Sequence, residues 1–169
     1  MRKQPKIKIP KSTSILILDL LALSLCVFYV VYTALSYANL PDKIPIHYDL
    51  SGEVDGMGGK SVILLLVGIG LLLFVMLRVL NNYPHTFNYP VKITEDNAVA
   101  HYQSAMQMMS MMNVFSSGIF AYLIFTTVQT ANGLANGISP YFIYVVIGAL
   151  VLVIGFYFYK SVFLRKPKV

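Results

Sequence analysis

The chain alternates between four long apolar stretches and three polar links. The apolar stretches cover about residues 15–37, 61–80, 106–130 and 141–159, and a helix needs about 20 such residues to cross a bilayer. The pattern therefore predicts an all-α membrane protein in which residues 1–169 form a single integral membrane domain, a bundle of four transmembrane helices. The lipid bilayer is the first partner that it implies.

The first polar link, residues 38–60, is predicted to form a compact cap between the first two spans. Its prolines and glycines exclude a helix and favour tight turns. From Ile44 to Asp49, apolar and other side chains alternate with a period of two, which is typical of an extended segment and places His47 and Asp49 on one face. Residues 50–52 would then turn the chain back.

The second link contains a helix start. Thr94 offers a hydroxyl cap, and Glu95 and Asp96 follow it in the first turn, where the helix dipole favours acids. The third helix is therefore predicted to begin near Glu95, outside the membrane, and to enter the bilayer near Met106.

Ser36 and Ala38 occupy the −3 and −1 positions of a candidate signal cleavage site. The apolar stretch before them is longer than the roughly 7–15 residues of a signal peptide. An uncleaved anchor is the favoured interpretation.

The basic residues predict the orientation. Of the 13 Lys and Arg residues, 11 lie on the two tails or around the second link, and only Lys43 and Lys60 lie elsewhere. The positive-inside rule then places both termini in the cytoplasm and the cap outside, in a multi-pass protein of a bacterial inner membrane. Nucleic-acid binding by the basic tails is the weaker interpretation, because basic residues that bracket apolar spans are topology signals.

Polar side chains at membrane depth are candidates for function because they are costly there. Asp19 lies about one turn inside the first span, and Arg78 ends the second at a similar depth. An interfacial carboxylate that either snorkels to the membrane surface or pairs with Arg78 is the favoured hypothesis; the alternatives are a proton- or ion-coupled role for Asp19, and simple solvent exposure.

On the third helix, five polar residues recur at spacings of three and four, so they share one face. This stripe is predicted to contact neighbouring helices, and lining a hydrophilic cavity is the alternative. Its members are Gln103, Gln107, Ser110, Asn113 and Ser117.

The cap offers a candidate metal set of one imidazole and three carboxylates: His47, Asp49, Glu53 and Asp55. Such groups suit divalent ions, but the spacing matches no established signature, and carboxylates that bond the cap's own amides are the favoured interpretation. Lys60 stands at the start of the second span, where the helix dipole disfavours a cation. It is therefore expected to pair with Asp55 or Asp49. No catalytic constellation or phosphate-binding loop is present in the sequence, which favours a protein that is not an enzyme and has no cofactor.

The first link resembles the motif of a bacterial membrane domain, the domain of unknown function 1648 (DUF1648), and the second link resembles a further part of it. The cap residues that match include Pro45, His47, Asp49, Gly52, Asp55, Gly56, Gly59 and Lys60. Those of the second link and the helix after it are Asn88, Pro90, Asn97 and Tyr102.

The same domain forms the N-terminal part of SdpI-type immunity and signalling proteins, whose additional C-terminal spans this chain lacks. The resemblance implies a non-enzymatic inner-membrane protein that senses or binds a peptide, lipid or other envelope component through its cap. A metal-dependent membrane enzyme that uses His47 and the cap carboxylates is the second hypothesis. A small transporter that uses Asp19 and the polar stripe is the third.

Overall fold

The computed structural model describes residues 4–163, with side chains through Lys160. Within that part of the chain, four helices have the length and apolar composition to cross a membrane. They are α1 (Thr13–Ser36), α2 (Val62–Leu80), α3 (Glu95–Ala131) and α4 (Phe142–Phe163). The predicted four-helix membrane fold is confirmed, and each predicted span overlaps one helix. Of the basic residues in the orientation count, Arg2, Lys3, Arg165, Lys166 and Lys168 lie outside the described residues.

The first link contains two short strands, β1 (Lys43–Tyr48) and β2 (Val54–Gly59), which pair as an antiparallel hairpin. The predicted extended segment is β1, and the chain reverses over the residues between the strands, as expected. The prediction of an all-α protein therefore needs one addition, this two-stranded sheet. One-turn 3₁₀ helices at Tyr37–Asn39 and Pro84–Thr86 follow α1 and precede α3.

The helix ends follow local capping chemistry. The Ser12 hydroxyl accepts a hydrogen bond from the Ile15 amide at 3.4 Å and caps α1. At the start of α3, the Asn97 side chain accepts a bond from the Thr94 amide at 2.9 Å. The predicted start of α3 at Glu95 is confirmed.

The third helix is the axis of the bundle. It contacts α1, α2, α4 and β1, whereas α4 contacts the rest of the bundle mainly through α3. With 37 residues α3 is about 55 Å long, which exceeds the roughly 30 Å hydrocarbon core. It is therefore long enough to extend beyond the hydrocarbon core. We call the end of the bundle that carries β1 and β2 the hairpin end and the opposite one the terminal end.

The two halves of the bundle are packed differently. Towards the hairpin end, an apolar cluster fills the space between α1, α2, α3 and β1, and its largest fully buried members are Tyr29, Ile44, Ile63 and Ile124. Towards the terminal end, the buried positions include Asp19, Asn81 and Ser110. Polar contacts between helices are the expected substitute where lipid removes most of the hydrophobic driving force.

Candidate functional site

Two glycines of β2 lie so close to β1 that an added Cβ would force a neighbouring group to shift. A Cβ on Gly56 would lie 2.9 Å from the His47 Cβ, and one on Gly58 would lie 2.7 Å from Ile46 Cδ1. The first contact follows from the register, which sets Gly56 opposite His47. The second comes from Ile46, which lies at an irregularity of the register between Pro45 and His47. The glycines of the cap motif therefore let β2 lie flat beneath the side chains of β1.

Asp49 organises the turn between the two strands. Its Oδ1 accepts hydrogen bonds from the Ser51 hydroxyl at 2.6 Å, the Ser51 amide at 2.8 Å and the Glu53 amide at 3.0 Å. The hydroxyl bond, helped by backbone bonds, holds the pKa of the Asp49 carboxyl below its usual value. This carboxylate is thus held by the turn's own donors, as the favoured interpretation expected.

The third link is part of the cap, which the sequence did not indicate. The Ile138 amide donates to the Gly52 carbonyl at 2.8 Å, and Glu53 and Gly137 form an isolated antiparallel bridge. Gly52 has a φ of +88°, and a Cβ there would lie 2.0 Å from the Ile138 carbonyl oxygen. The signals in the sequence of this link, residues 131–140, were its lack of charge and its two Asn-Gly pairs, the second of which contains Gly137.

His47 and Asp55 form a pair on the exposed face of the hairpin. His47 Nδ1 lies 2.5 Å from Asp55 Oδ1, and the two side chains are 71% and 45% exposed. The resemblance marked both residues but did not predict their contact. An ion pair this exposed contributes little to stability. The pair is relevant to function because His47 also lines the cleft described below.

The expected partner of Lys60 was wrong. Its Nζ donates to the Leu40 carbonyl at 3.2 Å and lies 5.5 Å from the centroid of the Tyr37 ring. The lysine therefore binds the segment that follows α1 instead of Asp55 or Asp49, and connects the two sides of the hairpin base. The helix dipole is unfavourable for a cation at this position, and the partial negative charge of the aromatic face and of the carbonyl oxygen offsets that effect.

The candidate metal set does not converge. Across the described residues, no group of three or more His, Cys, Asp and Glu side chains is placed to hold an ion. Asp49 is occupied by the turn and Asp55 by His47. Two of the four candidates thus pair with each other and a third, Asp49, is held by the turn, so they do not form one ligand set.

A cleft of about 370 Å³ lies between β1, the third link and the hairpin-end turns of α2, α3 and α4. We call it the hairpin cleft. Its helical walls are Val62, Ile63 and Leu66 from α2, Leu123 and Thr127 from α3, and Phe142 and Ile143 from α4. Within this wall the Thr127 hydroxyl is satisfied by the Tyr48 hydroxyl at 3.2 Å. Three exposed polar residues, His47, Asp49 and Ser139, also line the cleft and form its rim.

The second-link motif lies at the terminal end, away from the cleft. Tyr102 is buried and donates to the Pro5 carbonyl at 2.9 Å, and Asn97 caps α3. Asn88 and Pro90 are exposed. These residues hold the N-terminal segment and the second link against α3, so the two groups of motif residues do not form one site.

Of the two forms of the favoured hypothesis for Asp19, snorkelling or a pair with Arg78, the structure shows the pair. Arg78 Nη1 and Lys11 Nζ each lie 2.9 Å from Asp19 Oδ2, and the Ser110 hydroxyl donates to Asp19 Oδ1 at 2.8 Å. Asn81 in turn donates to the Ser110 oxygen at 2.8 Å. We call these five residues the Asp19 cluster. It joins α1, α2 and α3 at the terminal end.

The polar stripe of α3 faces its neighbours, as predicted, over most of its length. Ser110, Asn113 and Ser117 are buried, and Asn113 donates to the Phe74 carbonyl of α2 at 3.3 Å. Gln107 accepts a bond from Lys160 of α4 at 2.6 Å. Gln103 is half-buried, and the structure gives it no role.

The fold and the cap together define a multi-pass membrane protein with a glycine-rich hairpin between its first two spans. Residues 24–71 match the family model described as Domain of unknown function (DUF1648), which confirms the resemblance over that segment. The matched segment runs from the middle of α1, through both strands, into α2. No curated protein and no solved structure matches the chain.

Proposed function

We propose that the protein is a non-enzymatic binding protein of a bacterial inner membrane, with both termini in the cytoplasm, which recognises an envelope ligand through its external cap. Binding outside the cell is the step that a sensing or immunity role of the SdpI type would use. The ligand enters the hairpin cleft with an apolar portion and meets the rim residues with a polar portion.

The hairpin cleft is the observation that carries this proposal. Its volume of about 370 Å³ falls within the roughly 300–1,000 Å³ typical of ligand pockets, and its apolar wall with a few polar groups at one edge is the composition that such pockets have. The hairpin and the third link build it jointly through the Ile138–Gly52 bond. Gly52, which makes this bond, is the one glycine among the residues that line the cleft.

The acidic tip of the hairpin supports recognition at the rim. Residues 47–55 include three carboxylates, of Asp49, Glu53 and Asp55, and no lysine or arginine. The two basic residues of the cap, Lys43 and Lys60, stand at the base of the hairpin. A ligand with a cationic polar portion is therefore favoured over an anionic one.

A photoreactive benzoylphenylalanine in place of Leu123, in the cleft wall, tests this function. Illumination of cells followed by intact-mass analysis is expected to show one discrete adduct. The matched control replaces Phe125, which lies two positions away on α3, is 41% exposed and does not line the cleft. The same adducts at both positions, or none at position 123, would overturn the proposal.

A further inference from the structure

The hairpin cleft is open sideways as well as outwards. Its two flanking helices start with exposed apolar residues, Val62 of α2 at 39% and Ile143 of α4 at 40%. Both helices pack on α3, and α4 contacts the bundle mainly through that helix. The cleft therefore continues into the apolar faces that α2 and α4 present to lipid, so that an acyl chain reaches it without leaving the hydrocarbon layer.

The rim selects the headgroup by charge. Asp49 lines the cleft, and its Oδ1 accepts the three bonds of the turn, while none of these bonds uses Oδ2. The neighbouring imidazole of His47 is held by Asp55. The rim thus presents a net negative charge next to an apolar slot, a combination that attracts an ammonium group and repels an anionic headgroup.

We propose that the ligand of the hairpin cleft is a phospholipid of the outer leaflet with an amine-bearing headgroup: one acyl chain lies between α2 and α4, and its ammonium group lies at Asp49. This inference rests on the proposed function and names the class of ligand. A hydrophobic peptide with a basic side chain would meet the same chemistry. The lateral opening favours the lipid, because lipid tails already contact both flanking helices.

Native mass spectrometry of the purified full chain in mixed micelles tests the inference. Phosphatidylethanolamine and phosphatidylglycerol with identical acyl chains are supplied in equal amounts. We expect phosphatidylethanolamine to be retained preferentially, by roughly two- to fivefold, the range for one partly exposed ion pair.

Two variants, each with a matched control, test the acyl-chain contact and the headgroup contact separately. Leu123→Trp fills the cleft and is expected to abolish preferential retention, whereas Phe125→Trp on the same helix leaves it unchanged. Asp49→Asn keeps an oxygen for the turn but removes the charge, and is expected to make the two lipids equivalent. Asp42→Asn removes the same charge from an exposed residue outside both the cleft lining and the acidic tip, and should retain the preference.

The outcomes distinguish this inference from the broader function. Equal retention of both lipids by the unsubstituted chain, or a preference that survives Leu123→Trp, would overturn the lipid assignment. If the adduct at position 123 has the mass of a peptide, the binding function stands and the lipid assignment fails. If no discrete adduct forms and neither lipid is preferred, both fail.

Discussion

Two residues set the turn on which the cap depends. Asp49 gathers the donors of the turn onto one carboxylate oxygen. Gly52 supplies the positive φ of +88° and the close approach to the Ile138 carbonyl. A side chain at Gly52 would meet two separate costs, the left-handed backbone conformation and a steric clash with the third link.

A non-glycine residue in the left-handed conformation costs about 1–2 kcal/mol. We predict that Gly52→Ala lowers the free energy of unfolding of the detergent-solubilised protein by more than this amount. The matched control is Gly133→Ala, because Gly133 has a similar φ of +73° but nothing within 4 Å of the added Cβ. The difference between the two midpoints isolates the contact with the third link. Equal losses in the two variants would show that this contact contributes nothing.

Some residue contacts were predictable because one local rule dominates them. The Thr94 cap follows from hydroxyl and acidic residues before an apolar run, and the Asp19–Arg78 pair follows from two opposite charges at equal depth in lipid. The partner of Lys60 was not predictable by charge alone. Its long side chain reached the Leu40 carbonyl and the Tyr37 ring, which the hairpin brings beside it.

At the scale of elements, the Asp19 cluster is a polar link that joins three helices. One carboxylate of α1, with its side chain 7% exposed, receives two cations and one hydroxyl. Lys11 precedes α1, Arg78 belongs to α2 and Ser110 to α3. Asp19 is the one carboxylate of the cluster, whereas each of its two cations still neutralises that carboxylate when the other is removed.

We predict that Asp19→Asn destabilises the protein by about 1–2 kcal/mol, since it leaves two cations beside a neutral amide in a partly buried site. Arg78→Gln should cost less, because Lys11 still neutralises the carboxylate. Asp42→Asn, an acid with an exposed side chain in the first link, serves as the control and should change stability by less than about 0.5 kcal/mol. Thermal midpoints in detergent measure all three. A larger loss for Arg78→Gln than for Asp19→Asn would contradict this division of roles.

The elements were predictable to different degrees. The spans follow from apolar length, because the bilayer thickness sets that length, and α1 and α2 begin and end within about two residues of the prediction. The alternation from Ile44 to Asp49 indicated β1, but the glycine-rich β2 has almost no side-chain pattern. The pairing of the third link with Gly52 is carried by backbone atoms, so its trace in the sequence is limited to the glycines at positions 52 and 137, which the close approach requires.

At the scale of the whole molecule, the two ends of the bundle have different chemistry. The hairpin end carries the acidic tip and the cleft, whereas the terminal end carries the Asp19 cluster and the contacts of Tyr102 and Asn97. The long helix α3 connects them, with Thr127 in the cleft wall and Ser110 in the cluster. The orientation of the bundle therefore decides which chemistry faces the outside of the cell.

We predict that the hairpin end faces outwards. The sole cysteine, Cys26, is buried at 4% exposure, so it provides an unreactive background for labelling with a membrane-impermeant maleimide. Leu50→Cys, at a hairpin tip residue that is 90% exposed, should be labelled in intact spheroplasts. Lys92→Cys, in the exposed second link, should be labelled only after the membrane is opened. The reverse pattern would place the acidic tip in the cytoplasm, where it cannot meet an external ligand. It would also show that the orientation does not follow the positive-inside bias.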